Sequence, residues 1–247
     1  MNKNIKGGAF ALAAVIAVVM TALPSKAKAD SHGYAWTYEY STVWEGHPEL
    51  EYYSTAVLPD SSDKQTSSWS HQLELEYGLS ANTDIAMYQM FKQENTPASK
   101  TFTYDGMKLR LRHKLSEKGK LPADTLLYAE YVRGSDLSEH GALEGKLVLA
   151  RDFGRLNLAY NQVVEFPLEK LSAAQHSFTA GAAWEFSDVF KGGLEARGGY
   201  RDDEYYIGPT VSFGAKNQKV WFVAGYLAGL NPDSKDAQTR LKVGMPF

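Results

Sequence analysis

Three stretches of the chain alternate strictly between apolar and polar positions. His71-Gln72-Leu73-Glu74-Leu75-Glu76-Tyr77 sets Leu73, Leu75 and Tyr77 on one face and Gln72, Glu74 and Glu76 on the other. Met107 to Leu115 sets Lys108, Arg110, Arg112 and Lys114 against mostly leucine, and Gln238-Thr239-Arg240-Leu241-Lys242-Val243 repeats the pattern near the C-terminus. A period of two with charge on one side marks a half-apolar strand. The same reading along the chain predicts twelve strands, at 49–58, 68–77, 83–92, 101–115, 125–133, 142–151, 155–165, 175–186, 192–201, 204–214, 218–228 and 237–247. Short turns at 78–82, 152–154 and 215–217 contrast with longer, polar, proline-containing segments at 59–67, 93–100, 166–174 and 229–236.

Each strand is near the roughly 9–11 residues that a tilted membrane strand requires. Short turns on one rim and long loops on the other is the pattern of membrane barrels. The expected fold class is therefore all-β: an antiparallel up-and-down transmembrane β-barrel of about 12 strands, spanning 48–247. Tyr34 to Thr42 also reads as a strand, but single-chain barrels normally have even parity. Residues 30–47 are thus expected to form an N-terminal arm, on the periplasmic rim or in the lumen, with Gly46-His47-Pro48 as its bend. The rival is a fourteen-strand barrel in which 101–115 is split.

The N-terminus changes the picture of location. Lys3 and Lys6 precede a small-apolar run from Gly7 to Leu23, and Ala27-Lys28-Ala29 supplies a small-x-small cleavage pattern. Residues 1–29 read as a secretory signal cut after Ala29. No cysteine follows, so the expected exported chain carries neither a lipid anchor nor a disulfide framework. Cleavage removes four lysines and no acid, taking the formal charge from −3 to −7. That disfavours nucleic acid as a partner, since such surfaces are usually basic. Of the 15 Tyr and 5 Trp, many fall near expected strand ends: Tyr52, Trp69, Tyr77, Tyr104, Tyr131, Trp184, Tyr200, Tyr205 and Trp221. Tyr and Trp favour the headgroup interface.

The signal, the alternating strands, the Tyr77-Gly78-Leu79-Ser80 turn and the terminal Phe247 together resemble Gram-negative outer-membrane β-barrels. In length and strand count the chain is similar to small twelve-stranded monomeric porins for acidic sugars. Its turn-and-strand style is also similar to barrel transporters linked to aromatic-compound degradation. The resemblance implies an outer-membrane monomer among lipids and lipopolysaccharide. It also implies insertion by the barrel-assembly machinery, which would read Leu241, Val243, Met245 and Phe247. Gly244 and the penultimate Pro246 depart from the pattern, and Pro246 must sit where no ladder bond is needed.

If leucine faces lipid, charge faces inward, because Lys or Arg on the lipid face would cost roughly 2–4 kcal/mol near the midplane. The expected lumen-lining set is Lys108, Arg110, Arg112, Lys114, Lys146, Arg197, Arg240 and Lys242, facing Glu74, Glu76, Glu144 and Glu195. Further inward acids are Glu49, Glu51, Glu130, Glu165 and Glu185. The leading expectation is a passive channel for small solutes, with anionic ones favoured by the cation ladder, since side-chain charge sets such selectivity. One alternative is a filled barrel whose acids and bases pair across the lumen. Another is a lipid- or lipopolysaccharide-modifying enzyme using His71, His113, His140 or His176; His140 lies beside Ser138 and Glu139, but adjacency is not a triad. The inverted case, a soluble barrel with leucine inside, shares the alternation. No metal or cofactor is expected: acid groups such as Asp202-Asp203-Glu204 read as solvated loops.

Overall fold

In a computed structural model, which describes residues 32–63, 65–214 and 220–247, the alternating segments pair edge to edge. The strands are β1 (Pro48–Leu58), β2 (Ser67–Ser80), β3 (Thr83–Asn95), β4 (Lys100–Lys114), β5 (Asp124–Gly134) and β6 (Ala142–Phe153). They continue with β7 (Leu156–Pro167), β8 (Gln175–Ser187), β9 (Phe190–Gly199), β10 (Tyr205–Gly214), β11 (Trp221–Gly229) and β12 (Ala237–Pro246). Each pairs antiparallel with its sequence neighbours. β1 closes the barrel on β12, in register from Glu49 opposite Pro246 to Leu58 opposite Ala237. Closure leaves no sheet edge unpaired in the wall, which is the condition for strands to cross hydrocarbon. Segment 101–115 is one strand, so the fourteen-strand rival fails. The expected signal with its cleavage after Ala29, and the turn at 215–217, lie outside the described residues.

The pleat sorts the side chains as the alternation requires. Leu109 and Leu111 are 47% and 45% exposed on the outside, while Arg110 and Arg112 between them are 3% and 4% exposed inside. The inverted, leucine-in barrel is excluded by this orientation. Tyr77, Tyr104, Trp184 and Tyr200 point outward, as expected of a girdle. Trp221 does not: it is wholly buried inside, and its indole Nε1 donates to Glu49 Oε1 at 2.6 Å. This explains the glycine near the C-terminus, since a Cβ on Gly244 would lie 2.1 Å from the Trp221 ring. Pro246 is tolerated because the neighbouring Phe247 N–H, not its own nitrogen, reaches the Pro48 carbonyl at 3.0 Å.

The rim that holds Pro48 and Pro246 carries tight turns at 81–82, 154–155 and 188–189. It also carries a longer connection, 115–123, that the turn pattern did not anticipate. That connection folds over the rim: Lys118 pairs with Asp152 at 2.7 Å and Arg151 donates to the Leu121 carbonyl at 2.8 Å. On the far rim, β3 and β4 run further than expected, leaving 96–99 as their loop. Their pairing carries a bulge between Met90 and Phe91. Gly106 adjoins it at φ +132, where a Cβ would meet the Arg133 carbonyl at 2.1 Å.

Candidate functional site: a lumen with two walls

Strands β1 to β4 build an ionic wall. Arg110 donates to Glu74 and to Tyr88 Oη, and lies 3.0 Å from Glu76 Oε1. Arg112 donates to Asp84 Oδ2 at 2.6 Å and to Glu76 Oε2 at 2.8 Å. Tyr53 Oη lies between two carboxylates, 2.5 Å from Glu51 and 2.7 Å from Glu74, with one proton to share, and Lys242 lies 3.8 Å from Glu51. Charges this deeply buried persist only when paired and hydrogen-bonded. Carboxylate oxygens of Glu51, Glu74 and Glu76 come within 4.8 Å of one another, a spacing that could hold a cation. The guanidinium and phenol donors already occupy them.

Strands β7 to β11 build the opposite wall from small residues, and residues 32–47 fill the space they leave. The chain turns in at the rim, where Glu45 bridges Gly78 and the Val43 N–H reaches Asp84 Oδ2 at 2.9 Å. It reaches its furthest point at 35–38 and turns back. The Glu195 carboxylate accepts the backbone N–H groups of Ala35 at 2.6 Å and of Trp36 and Thr37 at 2.8 Å. Asn161 accepts from the Tyr38 N–H at 2.6 Å and donates to its carbonyl at 3.0 Å. Tyr34 Oη donates to the Asn157 carbonyl at 2.8 Å. The rings fit into gaps left by glycine: a Cβ on Gly181 or Gly225 would lie 2.3 Å from the Tyr34 or Trp36 ring. Glu39 closes the turn on itself through His32 Nδ1 at 3.2 Å and the Gly33 N–H at 3.0 Å. Burial opposes ionisation of Glu39, but the His32 bond and charge, Lys191 and the Gly33 N–H outweigh it and hold its pKa below the usual carboxylate value.

The remaining inward side chains divide between the two walls. Lys108 pairs with Glu130 at 3.0 Å, and Lys146 pairs with Glu144 at 2.8 Å while lying over the Tyr128 and Tyr38 rings. Lys114 sits near the Tyr40 ring. Arg197 donates to Gln238 at 3.1 Å, and Arg240 to Thr55 at 2.8 Å and the Ala35 carbonyl at 3.3 Å. Neither has a carboxylate within 4.0 Å among the described residues, unlike Arg110 and Arg112. A cavity of about 170 Å³ toward the far rim is lined by Glu144, Glu165, His176, Arg197, Glu204 and Tyr206. A second, of about 260 Å³, lies against the turn between His32, Glu39, Asp152, Asn157, Glu185 and Lys191. Between the turn and the ionic wall only about 20 Å³ is open. Sequence pattern located the charged positions but missed the inward-facing glycines and Asn161, because a missing side chain leaves no periodic signal.

The histidines do not converge. His71 bonds Tyr52 Oη at 2.8 Å beneath an outer aromatic cluster, and His113 meets Thr83 at 2.8 Å on the outer face. His140 is exposed, and its neighbour Ser138 donates to Asp136 at 2.7 Å. In the last strand Leu241 faces outward, while Met245 is covered.

No protein-family model matches the chain, and no curated protein matches it in sequence. Solved structures do. The COG4313 outer membrane channel from Pseudomonas putida F1 aligns with a TM-score of 0.58 at 9% identity, over 85% of this chain and 98% of that one. A KdgM porin in complex with disordered oligogalacturonate aligns at 0.56 and 10% identity, over 81% and 98%. The outer membrane phospholipase A from Escherichia coli aligns at 0.43 and 12% identity, over 84% and 94%. The fold is that of the twelve-stranded outer-membrane barrels.

Proposed function

We propose that the chain is an outer-membrane, porin-like channel that passes small polar solutes through a charge-lined lumen. The observation that carries this reading is the division of the barrel surface: an apolar outside and an inside of acids, bases and amides. Such an interior is costly to bury and useful to a hydrated solute. The comparison with a channel and a porin, alike in fold, supports the same reading. Arg197 and Arg240, two lumen-facing guanidiniums without a carboxylate within 4.0 Å among the described residues, tilt the selectivity toward anions. The inward rim of β1 and β12 would be periplasmic, and the last strand, with Leu241, Val243, Met245 and Phe247, would address the chain to the assembly machinery. Surrounding lipid and lipopolysaccharide would solvate the leucine face of a monomer.

A filled barrel has its own observation: about 20 Å³ is open between the ionic wall and the inserted turn. Planar-bilayer recording of the purified, folded protein separates the two. Discrete, anion-selective openings are expected, with selectivity lost in Arg197→Gln/Arg240→Gln. A folded sample that never conducts, under any applied voltage, is the filled barrel.

A further inference from the structure

Every hydrogen bond described between the apex of the inserted turn and the wall has a side chain at one end at least. Among the described residues, 32–42 add no strand to the sheet; the only bridge is at its base, from Glu45 to Gly78. The turn can therefore leave without breaking one ladder bond. At the apex a single carboxylate, Glu195, takes three consecutive N–H groups. The other contacts include the Asn161 amide, the Tyr34 phenol, the Arg240 guanidinium on the Ala35 carbonyl and the ring seats at Gly181 and Gly225, which hold by shape.

We propose that Glu195 is the latch of an autoinhibitory contact. Residues 32–42 are a gate hinged near Gly46, and the lumen conducts when the three bonds to Glu195 are given up and the turn leaves its seat. The inference rests on the channel reading above. Charge is what suits Glu195 to the task. An ionised carboxylate offers acceptors on both oxygens, whereas the amide of a glutamine keeps one oxygen and points a donor at the donors of the turn. Gly46, at φ +76 with open space where a Cβ would be, supplies the bend at the rim.

The chain has no cysteine, so introduced thiols are unique. A Cβ on Gly33 would lie 3.2 Å from that of Ala183, close to the roughly 3.5–4.5 Å of a disulfide. Oxidised Gly33→Cys/Ala183→Cys ties the gate to the wall, and a reductant frees it. Two readouts are taken on full-length protein whose folding is checked by heat-modifiable migration: maleimide labelling of Gly33→Cys alone, and bilayer conductance. Glu195→Gln is expected to speed labelling and raise open probability by about tenfold or more, the scale of losing charge-assisted bonds. The oxidised pair is expected to stay shut and to open on reduction. Unchanged labelling in folded Glu195→Gln overturns the latch. Full conductance with the disulfide formed overturns the gate and leaves the channel reading standing. Faster labelling with no conductance in any variant overturns the channel reading and the gate with it, leaving Glu195 as a structural anchor.

Discussion

Across the lumen from each other, β1 to β4 and β7 to β11 fill the same kind of space by different means. On the first wall acids and bases from neighbouring strands close on one another: Arg110 and Arg112 of β4 meet Glu74 and Glu76 of β2 and Asp84 of β3. On the second wall the equivalent inward positions include Gly181, Ala183, Gly193, Thr210 and Gly225, and the volume is taken by residues 32–40. A small barrel interior must be filled or solvated. The contrast teaches that filling from within the sheet and filling from outside it have different consequences. The ionic wall is part of the ladder it stabilises. The inserted turn is separable from it.

The largest effect should follow from breaking the ionic wall. Arg110→Ala leaves Glu74, Glu76 and Asp84 buried around a lost cation. Removing one partner of a buried charge set typically costs about 3–5 kcal/mol. The midpoint of heat-modifiable migration should fall steeply, and a midpoint within a degree or two of wild type would show that the wall does not hold the barrel. One residue away, Leu109→Lys asks the same question of the outer face. It puts a cation where Leu109 is 47% exposed, at a cost of roughly 2–4 kcal/mol if that face meets lipid. Urea titration of bilayer-folded protein measures it. A neutral result would mean that water, not lipid, surrounds β4.

The second wall should respond in function rather than in stability. Gly225→Leu fills the seat of Trp36 and strains no ladder bond, because the clash is with the turn: the Trp36 ring at 2.3 Å and the Ala35 Cβ at 2.8 Å. The expected outcome is a barrel with near-normal thermal migration and a turn that a protease can cut. A barrel that unfolds instead would make the turn as integral as the ionic wall, and the comparison would collapse.

The two walls also differ in how well they can be read without a structure. Period-two alternation exposes the ionic wall directly, so Glu74, Glu76, Arg110 and Arg112 could be assigned to one face from the chain alone. The twelve strands follow from the same signal. That the partners would be so close is not legible, because register between strands such as β2 and β4 is a property of closure. On the second wall the signal is the absence of a side chain. Gly181 and Gly225 look like ordinary breaks in strand propensity until Tyr34 and Trp36 are seen in their places. Trp221 misleads for a related reason: it sits near a strand end, as girdle residues do, but parity turns it inward to Glu49. Residues 34–42 read as a strand because their composition suits one, yet no open edge remains for them once β1 has closed on β12.

The smallest expected effect is that of acid on the turn, through Glu39. In the folded chain this carboxyl is held below its usual value of 4.5 by His32, Lys191 and the Gly33 N–H, against the cost of burial. A depressed carboxylate contributes stability that is fully present above its unfolded pKa and lost as pH falls through the folded one. The contribution of the Glu39 carboxylate to the clasp should therefore be fully present above about 4.5 and weaken below it. His32 and Lys191 face Glu39 and are left in place by Glu39→Gln, so that substitution isolates the carboxyl. The quantity to follow is the labelling rate of Gly33→Cys divided by its rate in the Glu39→Gln background, which cancels the pH dependence of the thiol reaction. At neutral pH the ratio should be well below one, because the clasp protects residue 33. It should rise toward one as pH is lowered from about 5 to about 3, as protonation makes the two side chains alike. A ratio that stays flat across that window would mean that Glu195 and Asn161 alone seat the turn, and that its closure on itself adds nothing to the difference between the walls.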